Sequence, residues 1–329
     1  MVRKFLCVLF ILLLMTQLSA CNSDAQIAPV PSETASAVES LAPSTAPQPS
    51  WSPDILLTPA VSKTYEWEDS VGNLNRVSIR LPHLDSAFQF AAAFNAEIDR
   101  LTRDLITETE DCISNACSTY ILSVDYEAWQ NGHILSVLIT TTMDFDYVEY
   151  DVYNFDLKTD ASLTMADLCH EQLGMAYPVF LKYTRDRIWA AFEAKFAEYL
   201  LQYPGDYEFI RHLYYSDLST LCRYDLFPDE AGNLMLICDH PSIAGAAYYP
   251  AIEAAIIDSE LVPTDAEAWN WLFDLYLGVD FDNAIYAEKL LICAFEADEA
   301  ALIEVLQTRS SEERDTIETA IRTYYTAKG

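Results

Sequence analysis

The first residue with an evident chemistry is Cys21, which directly follows Leu18-Ser19-Ala20. A cysteine thiol set after small residues and behind a basic, apolar leader can accept a diacylglycerol, and the amine freed by cleavage can take a further acyl chain. The leader is present: Arg3 and Lys4 precede an apolar run from Phe5 to Met15, too short to span a bilayer comfortably. The sequence therefore predicts a lipoprotein signal peptide over 1–20, cleavage before Cys21, and an extracytoplasmic chain held to a bacterial membrane by lipid on that cysteine. Two or three acyl chains hold a protein where one would be marginal.

Other cysteines offer a second chemistry. With Cys7 removed and Cys21 acylated, Cys112, Cys117, Cys169, Cys222, Cys238 and Cys293 remain, an even number that suits an oxidising compartment. Cys222 and Cys238 flank the turn-forming stretch from Pro228 to Asn233, so a hairpin would place them roughly opposite one another as a disulfide. Cys112 and Cys117 could close the small loop Cys-Ile-Ser-Asn-Ala-Cys, and Cys293 reads as a small apolar residue of a helix core. No metal site is expected: there is no CxxC, the five His are scattered, and only Cys169 and His170 are sequence neighbours.

Catalytic signatures are missing from the sequence. There is no Gly-x-Ser-x-Gly, no His-Glu-x-x-His, no phosphate-binding Gly-rich loop and no dinucleotide fingerprint, so neither an enzyme nor a cofactor is expected. Carboxylates are too plentiful for any chosen pair to signify glycoside hydrolysis. A more specific constellation is Asp144, Asp146, Glu149 and Asp151, in and beside one strand. Alternation puts Glu149 and Asp151 on one face near Tyr147 and Tyr153, a negative patch that a basic protein could use and that equally suits a solvated strand face. Trp129, Trp269 and Trp271 could stack on cell-wall glycan, or fill a core.

Charge narrows the partners. The chain has 19 Lys and Arg against 51 Asp and Glu, a net of −32, which becomes −34 once Arg3 and Lys4 leave with the signal. Such a field excludes nucleic acid as a natural partner, attracts basic proteins, and also simply favours solubility.

The elements that must position these residues follow from composition and periodicity. Residues 21–60 are rich in Ser, Thr, Ala, Pro and Gln and predict a disordered tether. Beyond it, strands are expected at Thr64–Glu68 and Leu74–Leu81. A helix capped by Asp85 should carry the stripe Ala87, Ala91, Phe94, Ile98, Leu101 and Leu105. Strands then run Thr119–Tyr126, His133–Thr142 and Tyr147–Leu157, with Asn131-Gly132 as a hairpin turn. Leu163–Cys169 and Pro178–Tyr203 read as helices, the Cys222–Cys238 segment as a hairpin, and everything after Pro263 as helix, broken near 278–282 and 308–311. The fold class is α+β: antiparallel sheets with packed helices over 61–260, in two subdomains near 61–160 and 161–260, plus an all-helical segment over 263–329.

Within that frame, Asn131-Gly132-His133-Ile134-Leu135-Ser136-Val137, Tyr153-Asn154-Phe155-Asp156-Leu157-Lys158-Thr159 and Leu163-Thr164-Met165-Ala166-Asp167-Leu168 carry a resemblance. The stretch from Thr64 to Glu260 resembles the paired extracytoplasmic domains of unknown function of RsiV-type lysozyme-sensing anti-sigma factors and of the non-catalytic N-terminal part of PdaC-type peptidoglycan deacetylases. Asp160 stands where that family usually has Gly, a tolerable exchange because Asp enters the left-handed region more readily than most residues. Pro241–Pro250 keeps only a loose version of the family's terminal motif. The resemblance implies a binding or sensing module at the cell envelope, with a lysozyme-like basic protein as the ligand class. A peptidoglycan-binding accessory subunit or envelope enzyme is the alternative.

Overall fold

The computed structural model describes residues 53–241, 249–280 and 283–328; Cys21, the expected signal peptide and most of the expected tether lie outside them. After a helical turn, α1 (Pro53–Leu56), a six-stranded sheet is built in sequence order from β1 (Leu57–Glu68), β2 (Leu74–Leu84), β3 (Ile121–Asn131), β4 (Ile134–Met143), β5 (Val148–Asp156) and β6 (Ala161–Leu163). All neighbours are antiparallel except β2 and β3, which pair parallel at Ser78 with Ser123 and Ile79 with Val124. Parallel neighbours need a crossover, and α2 (Gln89–Ser114) supplies it.

Burial explains the strand patterns. On β2, Val77, Ile79 and Leu81 are buried at alternate positions, and with Val137, Ile139 and Phe155 they meet Ala91, Phe94, Ile98 and Leu105 of α2. The other sheet face is covered by a three-stranded antiparallel sheet, β7 (Asp225–Pro228), β8 (Leu234–His240) and β9 (Tyr249–Ala254), through Leu138, Phe227 and Ile237. Covered on both sides, β4 reads as a continuous apolar run rather than an alternation, and residues 134–139 are all buried. Ser136 donates to Asn154 Oδ1 at 2.7 Å, and Asn154 Nδ2 donates to the Leu226 carbonyl at 2.8 Å, so the two sheets are joined by a satisfied polar link.

The remaining helices are α3 (Met165–Leu173), α4 (Tyr177–Lys195), α5 (Ala197–Gln202), α6 (Pro204–Ser216), α7 (Asp265–Gly278), α8 (Ala284–Ala297), α9 (Glu299–Leu306) and α10 (Ser311–Lys328). They enclose one core, in which Leu168, Phe180, Trp189, Tyr214 and Leu226 adjoin Trp269, Phe273, Leu291 and Ile317. The C-terminal helices thus share a core with the preceding module.

Several expectations need correction. Leu57–Ala60 already belongs to β1, with Leu56 and Leu57 buried, so the tether ends earlier than its composition implies. Asp85 does not cap α2: its carboxylate accepts from the Ala87 amide in a preceding turn, leaving Ala87 outside the helix. The N-terminus of α2 is instead met by Asp160, whose Oδ1 accepts from the Gln89 amide at 2.8 Å. The helix expected over Pro178–Tyr203 divides at Phe196, where φ −113° and ψ 21° depart from helical geometry. Pro204 then starts α6 at a position where its missing N–H costs nothing. A further break falls at Asp298, whose side chain accepts from the Ala301 amide at the start of α9.

Candidate functional site

The acidic constellation lies at one end of the large sheet, where β4 turns into β5. Residues Asp144–Asp146 form a 3-10 turn, closed by the Met143 amide on the Tyr147 carbonyl at 2.8 Å and tied to β3 by the Asp144 amide on the Tyr120 carbonyl at 2.8 Å. At its centre Phe145 adopts φ 63°, a conformation that L residues occupy at a cost, and is 86% exposed. An aromatic ring held out in water at a strained turn is not explained by packing.

Beyond the turn, Glu149 and Asp151 are both exposed, opposite Thr141 and Ile139 of β4. Residues two apart on a strand share a face about 7 Å from one another. Tyr153 continues that face, its ring set edge-on to Phe94 of α2 at 5.0 Å. Burial, with the Asp151 and Glu97 carboxylates behind it, pushes the Tyr153 phenol up to about 12, so it is a neutral hydroxyl at physiological pH. Arg100 is the nearby cation on α2, and it is held by Glu97 and, at 3.0 Å, by Asp104. The face therefore presents carboxylates with a pre-neutralised arginine behind them, beside exposed Tyr120 and Leu122. The side chain of Asp146 lies outside the described residues.

The structure brings Asp144, Glu149 and Asp151 into one region, as the strand alternation implies. It adds Phe145, Tyr120 and Leu122, which the sequence reading passed over. The signal for Phe145 was the run Met143-Asp-Phe-Asp-Tyr147, an aromatic between two aspartates where a chain must turn. Such a mixture of exposed aromatic and acidic groups can bind a cationic protein surface.

The cysteines separate into different settings. Cys112 and Cys117 adjoin but stand as thiols and not as the expected disulfide: the Cys117 amide donates to the Cys112 carbonyl at 2.9 Å, the Cys112 thiol lies 3.8 Å from the Ser118 carbonyl, and burial with the Cys117 neighbour pushes Cys112 up to about 12. Cys222 does not sit opposite Cys238. The ladder pairs Asp225 with Ile237, so Cys222 precedes it in a 3-10 turn, its thiol 3.8 Å from the Tyr286 carbonyl, while Cys238 approaches His240 at 3.6 Å. Both stand as thiols. Among the tryptophans, Trp269 is fully buried, Trp129 stacks on Phe227 at 5.3 Å, and Trp271 packs against the core, so they form no exposed platform.

No family profile matches this sequence, and no curated protein matches it. A crystal structure of a DUF3298 family protein from Pseudomonas aeruginosa, named for a domain of unknown function, is similar over 63% of this chain and 96% of its own, at 13% identity and a TM-score of 0.32. A likeness at that level carries no argument about this chain's activity.

Proposed function

We propose that this protein is a lipid-anchored, extracytoplasmic binding module without catalytic activity, and that the end of the large sheet around Phe145 takes a basic envelope-active protein of the lysozyme kind. The observation that carries the reading is the strained, exposed Phe145 set among Asp144, Glu149 and Asp151. Aromatic side chains are enriched at interfaces and serve as anchors inside a polar rim, and carboxylates around one would complement a basic partner. The net charge of −32 and the resemblance of the Asn131–Leu168 segment to lysozyme-sensing ectodomains point the same way. Cys21 would supply the anchor and the Ser/Thr/Ala/Pro segment after it the reach. A cell-wall glycan ligand is less favoured, because Trp269 is buried, Trp129 is stacked on Phe227 and Trp271 packs against the core.

The test is lysozyme binding by the full chain across a salt series. Glu149→Lys with Asp151→Lys should weaken binding more than the same four-unit charge change at Glu304 and Glu318, which lie exposed on α9 and α10. Phe145→Ala should cost about 1–2 kcal/mol at every salt concentration, since an apolar contact is not screened. Equal losses from the two charge placements with no effect at Phe145 would reduce the binding to non-specific attraction. Absence of binding by the unaltered chain at low salt would overturn the reading.

A further inference from the structure

Away from the acidic face, the small sheet gathers a thiol, an imidazole and a carboxylate. Alternation places Cys238 and His240 on the same side of β8, and the β8–β9 register, Cys238 with Ala251 and Leu236 with Glu253, sets Glu253 diagonally beside Cys238 on that side. The Cys238 Sγ to His240 Nε2 distance is 3.6 Å, that from His240 Nε2 to Glu253 Oε2 is 3.5 Å, and the three ligand atoms all lie within 4.8 Å of one another.

These separations are those of ligands around a common ion. Bonds of about 2.3 Å to sulfur and about 2.0–2.1 Å to nitrogen or oxygen, at tetrahedral angles, put S and N about 3.6 Å apart and N and O about 3.3 Å apart. The carboxylate is also divided suitably: Arg187 of α4 bonds Oε1, leaving Oε2 toward the imidazole. An outer partner on one oxygen orients a monodentate ligand and supports its charge. Cys238 is fully buried, while His240 and Glu253 are part-exposed with side-chain accessibilities of 39% and 30%, so an ion has a route in from solvent.

We propose that Cys238, His240 and Glu253 form a binding site for a divalent transition metal, Zn²⁺ by its ligand set, with a water molecule at the fourth vertex. Sulfur and imidazole together select zinc-like ions over magnesium or calcium, which take oxygen. Binding replaces the Cys238 S–H bond by a metal–sulfur bond and releases the proton to solvent. Three protein ligands and an exchangeable fourth define an open site, able to take a second small ligand. Arg187 is a positioning residue, acting through Glu253.

The experiment uses the full chain, reduced with a non-chelating phosphine and titrated with Zn²⁺ and with Co²⁺ as a spectroscopic substitute. One equivalent should bind, and the Co²⁺ form should show a near-ultraviolet thiolate-to-metal charge-transfer band. Cys238→Ser should abolish that band. His240→Ala, at a part-exposed position that folding tolerates, should weaken Zn²⁺ binding at least tenfold, whereas Cys222→Ala should leave both readouts unchanged. The proposal is overturned if wild-type protein binds no Zn²⁺, if its Co²⁺ complex lacks the band, if His240→Ala binds as wild type, or if mapping of the unreduced protein finds Cys238 in a disulfide.

Discussion

Asp225 begins β7 half-buried, with its Oδ1 accepting from the Leu226 amide at 2.8 Å. Removal from water dominates and pushes its carboxyl up to about 7; the Leu226 amide and Lys289 oppose the shift and Asp151 adds to it. Because the folded-state value lies above the unfolded one of 3.8, the folded protein binds more protons between them. Stability is then undiminished below about pH 4, falls as pH rises toward 7, and is level above that. Asp225→Asn should accordingly be the more stable form at pH 8, by about 1–2 kcal/mol after allowance for partial solvation, with the difference gone near pH 4. Urea denaturation at the two pH values decides it, and an equal difference at both would remove the carboxylate as the cause. At this scale the sequence was unevenly legible. The closeness of Cys112 and Cys117 followed from a loop too short to separate them, and the shared face of Glu149 and Asp151 from strand periodicity. The approach of Cys238, His240 and Glu253 did not, because it depends on β9, whose pairing with β8 no local pattern announced. Its Pro250 argues against a strand unless the strand lies at an edge, where this one does.

Among the elements, the passage from β5 through β6 to α3 shows how a turn can hold a distant helix. Thr164 caps α3 reciprocally with Asp167. Three residues before β6 ends, Asp160 takes φ 56° and caps α2 across the molecule. It thus combines a left-handed backbone with a side chain that satisfies an orphan helix donor. Asp160→Gly should keep the backbone and lose the cap, whereas Asp160→Ala should lose both. The expected order of thermal stability is wild type, then Gly, then Ala, with the full loss about 1–2 kcal/mol. An Ala variant as stable as the Gly variant would show that the left-handed turn carries no strain. Element type was readable wherever the period was clean, as in α2 with its four- and three-residue steps and in the Asn131-Gly132 hairpin. It failed where a tertiary partner decides: the division at Phe196 answers to aromatic packing among Trp189, Phe192 and Tyr207, which no window of sequence displays. The cap from Asp160 to Gln89 spans 71 positions and is equally invisible locally.

For the whole molecule, a net charge of −32 means that each folded copy confines mutually repelling carboxylates. Only part of this repulsion is relieved by ion pairs such as Arg80 with Asp125 and Arg223 with the buried Asp239. Raising NaCl from about 10 mM to 500 mM shortens the screening length from about 30 Å to about 4 Å, and the melting temperature should rise by several degrees. A melting temperature that stays level or falls would show that the carboxylates are locally neutralised despite their excess. The parallel seam between β2 and β3 bears on how such a chain reaches its fold. The hairpin β1–β2 and the meander β3–β4–β5 each join strands close in sequence, and each can form on the microsecond scale of local pairing. Their union must wait until the 26-residue helix between them has lain across the sheet, because the seam has no turn of its own to close it. Assembly of this sheet is therefore gated by one long loop closure, and until α2 docks, the edges of β2 and β3 stand unpaired and open to a neighbouring chain.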